Sequence, residues 1–125
     1  MKILYPYVGN TVGGSHKSSM IFISELKSFY FLPKVVLHQK GVLAELCYKK
    51  NIDFDVIQLP FWSKKKSIFL DIIYFLWIVF KIFLYIKKEK PSIVHVNDSK
   101  MAITWSLACK LSSTPIVIHQ RTKFT

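Results

Sequence analysis

Short apolar runs alternate with longer stretches of helical spacing along this chain. Runs of four to eight apolar residues suit buried strands, whereas repeats near 3.6 residues suit helices. The pattern predicts strands over Ile3–Val8, Lys34–His38, Phe54–Leu59, Ile93–Asn97 and Ile116–His119. Between them it predicts helices from about Ser15 to Tyr30, and over Gly41–Lys50, Ile68–Lys88 and Lys100–Leu111. Regular alternation of strand and helix implies a parallel sheet covered on both faces. The expected fold is α/β, a Rossmann-like doubly wound sheet of five strands in the order 3-2-1-4-5.

The run Pro91-Ser92-Ile93-Val94-His95-Val96-Asn97-Asp98 carries the most information. Proline stops the preceding helix, because it has no N–H and restricts the residue before it. An apolar strand follows, interrupted by His95, which is read as a core histidine. Polarity then arrives abruptly at Asn97 and Asp98. In open parallel sheets ligands bind beyond the carboxyl ends of the strands. Asp98 also suits a helix cap. His16, Asn97, Asp98, His119 and Arg121 all map to that edge, so it is the expected ligand site. His119 ends a strand and could act as acid, base or donor. Arg121 could hold a phosphate or carboxylate.

The segment Ile68–Ile86 carries only Asp71 and Lys81 as charges. Its length, 19 residues, approaches the roughly 20 needed to cross a bilayer. Two arguments oppose crossing. Strands three and four would lie on opposite sides of the membrane, yet both belong to one sheet. At about 100° per residue, Lys64, Ser67, Asp71, Tyr74, Lys81, Tyr85 and Lys88 also form one polar stripe. The remaining arc is wider than docking on a sheet requires, so some Phe, Ile, Leu and Trp side chains should stay exposed. Lys64, Lys65 and Lys66 precede the helix, and Lys87, Lys88 and Lys90 close it. Apolar surface beside lysines suits an anionic membrane surface. Contact is expected through Lys64–Lys66, Trp77, Phe80, Lys87 and Lys88. A covering domain or dimer partner is the alternative.

Length and charge narrow the class. A chain of 125 residues makes one small domain. A net charge of +11 favours phosphate-bearing or anionic partners. The lysines lie between apolar blocks without a nucleic-acid motif, so a nucleic-acid partner is not expected. Cys47 and Cys109 form no C-x-x-C pair and are read as reduced thiols of a cytoplasmic protein. No signal peptide is evident.

The first strand leads into Gly9-Asn10-Thr11-Val12-Gly13-Gly14-Ser15-His16. Its glycines allow close backbone approach, Ser15 can cap the following helix, and that helix start suits an anion. The loop lacks G-x-G-x-x-G spacing, and His38-Gln39-Lys40 offers no acid for a ribose, which argues against a nicotinamide site. There is no P-loop motif. The four histidines lack metal-site spacing, so no metal is assigned.

Three features resemble the amino-terminal domain of family 4 glycosyltransferases with the GT-B fold, especially those of bacterial surface-polysaccharide synthesis. They are Gly13-Gly14-Ser15 followed by the apolar stretch Met20–Leu26, the run Pro91–Ser99, and Ala102–Leu111 with Thr114-Pro115-Ile116-Val117-Ile118-His119-Gln120-Arg121. The resemblance covers nearly the whole chain. It implies metal-free transfer of a sugar from a nucleotide-sugar co-substrate, with no resident cofactor. It implies that this domain holds a saccharide or lipid-linked acceptor, with Gly13 and Gly14 approaching the reaction centre and Asn97 and Asp98 lining the acceptor side; Ser15, His16 and Arg121 are the further expected substrate-binding residues. It places His119, the candidate catalytic residue, near the transferred sugar. The donor belongs mainly to a second domain.

The chain stops just past the fifth strand, whereas the resembled family has further strands, a linker and a donor domain. Residues 1–125 are therefore expected to be a partial amino-terminal domain, inactive alone, from a truncated, split or longer protein. The expected partner is the missing donor domain or a split-gene product. The expected location is the cytoplasm, at the inner face of the cell membrane. The competing reading is a non-catalytic membrane-surface or protein-interaction module.

Overall fold

The computed structural model describes residues 2–9, 20–25, 31–59, 67–97 and 99–118. Five strands form one parallel sheet: β1 (Lys2–Tyr7), β2 (Leu32–Leu37), β3 (Phe54–Val56), β4 (Ile93–Val96) and β5 (Ile116–Ile118). Their spatial order is β3-β2-β1-β4-β5, as the alternating pattern predicts. The described helices are α1 (residues 20–25), α2 (Val42–Lys49), α3 (Ile68–Glu89) and α4 (Ser99–Leu111).

Side-chain alternation divides the core between the two faces of the sheet. Leu4, Val36, Val94 and Val96 meet Ile78 and Ile82 of α3 and Met101, Trp105 and Ala108 of α4. On the other face, Tyr5, Tyr7, Val35 and Leu37 meet Met20 and Ile23 of α1 and Leu43 and Cys47 of α2. The sheet is thus the middle layer of three. Cys47 and Cys109 are free and buried, one in each half of the core.

Local chemistry sets the ends of α3. Ser67 caps its start, its Oγ accepting from the Leu70 N–H at 3.4 Å. Lys90 closes it in the left-handed region, φ 50°, donating its N–H to the Ile86 carbonyl at 2.8 Å. Pro91 then prevents continuation. The first two strands sit one or two residues earlier than the pattern predicts. β3 is half the predicted length: Gln58 adopts φ 50°, which leaves the extended conformation.

The polar stripe of α3 divides between inside and outside. Asp71 is buried and Tyr85 half-buried, whereas Tyr74, Lys81 and Lys88 face outward. The reason lies on the strands. Tyr85 donates its hydroxyl to Asp55 of β3 at 2.7 Å. Glu89 accepts from Lys34 of β2 at 2.7 Å and from Lys2 of β1 at 3.2 Å. Lys34 also reaches Asp55 at 2.9 Å. Charged partners on β1, β2 and β3 therefore draw Tyr85 and Glu89 of α3 inward.

Candidate functional site

The carboxyl edge of the sheet is built from the ends of β1, β2 and β4. At the end of β1, Tyr7 is buried and its hydroxyl accepts from Asn97 Nδ2 at 3.0 Å. This bond crosses from β4 to β1, neighbours in the sheet, and fixes the amide of Asn97 at the rim. Beneath it, Tyr5 packs its ring 5.3 Å from that of His95. Burial, then the neighbouring Tyr7 hydroxyl, pushes the Tyr5 hydroxyl up to about 12, so it stays protonated. His95 is half-buried within its strand and faces Tyr5, in keeping with its reading as a core residue.

Two further features brace the edge. The His38 Nε2 accepts from the Trp105 Nε1–H at 3.0 Å, and both side chains are buried. Indole N–H is a donor only, so this bond requires a neutral His38 protonated at Nδ1. Trp105 also meets the Tyr85 ring edge-on at 6.5 Å. Gly9 has φ +102°, and a Cβ there would lie 2.4 Å from the Gln39 carbonyl oxygen. Only glycine allows the chain leaving β1 to pass so close to the chain leaving β2. The Gly9 carbonyl in turn accepts from the Leu43 N–H at the start of α2.

Among the expected ligand-contacting residues, Asn97 sits at the carboxyl edge. Gly13, Gly14, Ser15, His16, Asp98, His119 and Arg121 lie outside the described residues, as do Lys64, Lys65 and Lys66. Trp77, Phe80, Lys87 and Lys88 are all exposed on α3. Trp77 stacks on Tyr74 at 5.9 Å, and Lys87 Nζ lies 5.6 Å above the Phe83 ring. Among the described residues, no group of three or more His, Cys, Asp or Glu side chains comes together to hold a metal.

Sequence reasoning missed the Tyr7–Asn97 bond, the His38–Trp105 bond and the close approach at Gly9. Gly9 carried a readable signal, a glycine directly after a predicted strand. The other two join residues 90 and 67 positions apart, beyond any local pattern.

Neither the protein-family models nor the curated protein sequences match this chain. Solved structures match its fold. A glycosyltransferase from Rickettsia africae matches with a TM-score of 0.70 at 22% identity, over 94% of this chain and 28% of the other. MurG from Acinetobacter baumannii gives 0.73 at 18% identity, over 98% and 36%. WaaB, a lipopolysaccharide outer core galactosyltransferase, gives 0.61 at 22% identity, over 96% and 32%. UDP-N-acetylglucosamine 2-epimerases share the fold as well. This chain spans about a third of the length of the structures it matches. The chain thus has the Rossmann-like fold of these GT-B structures, over part of their length.

Proposed function

We propose that residues 1–125 form the acceptor-side half of a glycosyltransferase. The whole enzyme moves a sugar from a nucleotide-sugar donor to a lipid-linked saccharide or polysaccharide acceptor. The observation carrying this reading is the carboxyl edge, where Asn97 of the Pro91–Ser99 run is held at the rim by Tyr7. That run resembles the family's run and lies in a fold shared with glycosyltransferases.

The proposed chemistry joins an acceptor oxygen to the anomeric carbon as the bond to the nucleoside diphosphate breaks. The acceptor proton passes to a base, and His119 is the proposed group. Asn97, with Gly13, Gly14, Ser15, His16, Asp98 and Arg121, is proposed to orient the acceptor. Polypeptide outside these residues supplies the donor side, so the chain alone orients one substrate and completes no transfer.

A second reading, a non-catalytic membrane-surface or interaction module, is favoured by the exposed apolar side of α3. Equilibrium dialysis separates the two. The chain is incubated with a labelled polyprenyl-diphosphate-linked hexose, then with labelled UDP-hexose. The acceptor-side reading predicts saturable retention of the first, little of the second, and no transfer when both are present. Turnover by the chain alone, or preference for the nucleotide sugar, would overturn it. Retention that sugar-free polyprenyl diphosphate displaces equally well favours the module.

A further inference from the structure

α3 turns apolar side chains toward water as well as toward the core, more than a helix covered only by water would expose. Its two acids are turned inward: Asp71 is buried, and Glu89 binds Lys34 and Lys2. Opposite the residues that pack on the core, a second apolar side is turned outward. Phe69, Ile73, Leu76, Trp77, Phe80 and Leu84 are all exposed, Phe69 at 72% and Phe80 at 54%. At about 100° per residue, the outward apolar positions cover roughly 160° of the circumference. The most apolar 18-residue window has a mean hydropathy of 2.1, and 22% of it is buried. A core helix of that composition would be mostly covered.

Charge sorts in the same sense. Lys81 and Lys88 border the outward arc, Lys87 lies at its C-terminal end, and Lys90 follows the helix. With both acids engaged inward, the outward side of α3 presents lysines and no carboxylate. Two copies meeting in parallel through this face would set lysine against lysine. An anionic surface complements it. Crossing a bilayer is ruled out by seating: Ile78, Val79, Ile82 and Ile86 hold the helix against the core, and its ends lead from β3 to β4 of one sheet.

We propose that the outward face of α3 docks in the headgroup–acyl boundary of an anionic lipid bilayer, the helix lying along the surface. Apolar side chains enter the boundary while the lysines meet anionic headgroups. This inference does not depend on which reaction the chain serves.

The test is flotation of the full chain with vesicles of phosphatidylcholine, with and without phosphatidylglycerol, at low and physiological salt. Binding is expected to the anionic vesicles, weakening with salt. The double variant Lys87→Gln/Lys88→Gln should bind those vesicles about thirtyfold more weakly, from about fivefold per lysine. Phe80→Glu, at an exposed position, should weaken binding at least about tenfold while keeping the wild-type circular dichroism. Absence of binding to anionic vesicles at low salt would overturn the proposal. So would a lipid-free dimer that Phe80→Glu dissolves, because that would identify a second copy as the occupant.

Discussion

Glu89→Gln removes the charge that binds the last turn of α3 to two strands. The carboxylate accepts from Lys34 at 2.7 Å and from Lys2 at 3.2 Å, and its side chain is 12% exposed. Exposed ion pairs contribute about 0.2–1 kcal/mol. Breaking a fully buried pair costs about 3–5 kcal/mol. Glu89 lies between these limits. Glutamine keeps an acceptor oxygen, and Asp55 still pairs with Lys34. The expected loss is therefore about 1.5 kcal/mol.

Urea unfolding followed by circular dichroism should show the midpoint falling by about 0.5–1.5 M. The pH profile supplies a second readout. The Lys34 hydrogen bond, then that of Lys2, holds the Glu89 carboxyl below its ordinary 4.5, against burial. Burial raises Asp55, but its bonds to Lys34 and Tyr85 outweigh this and leave it below 3.8. The unfolded chain then binds more protons than the folded one in acid. The contribution of Glu89 is complete above 4.5 and fades as pH falls through its lower folded value. The wild type should therefore lose stability on acidification more steeply than Glu89→Gln. A loss below about 0.5 kcal/mol with an unchanged acid slope would refute the view that this network seats α3.

Gly9→Ala would place a Cβ 2.4 Å from the Gln39 carbonyl in a strained backbone region, so more than about 1 kcal/mol should be lost in thermal unfolding. Ile82→Ala, fully buried between α3 and the sheet, should cost about 2–5 kcal/mol by urea denaturation. Burial pushes the Cys47 thiol up to about 11 and the Cys109 thiol up to about 12. Both should resist thiol reagents at neutral pH until the chain unfolds; rapid labelling of the native chain would contradict their burial.

The strand order was legible because each apolar run is short and each helix separates two of them. The layering followed, since Leu4 and Val36 alternate with Tyr5 and Leu37 across the sheet. The mounting of α3 was not legible. Counting angles along one helix cannot reveal that Lys34 and Asp55 wait on the strands beneath it. Those residues draw Tyr85 and Glu89 inward, whereas the outward Trp77 and Phe80 follow the wide apolar arc that the sequence already showed. At the carboxyl edge, Asn97 was identified from an abrupt change of polarity. Its partner Tyr7 looked like one more apolar strand residue, because the bond that defines its role joins two strands distant in sequence.

The half-site reading is tested most directly by mapping amide shifts in an isotope-labelled chain titrated with a polyprenyl-diphosphate-linked hexose. The predicted result is saturable shifts at Val8, Gly9 and Asn97, with Lys2, Ser92 and Ser113 at the opposite edge unchanged. Shifts confined to that opposite edge, or none at any concentration, would contradict an acceptor site at the carboxyl ends of β1 and β4.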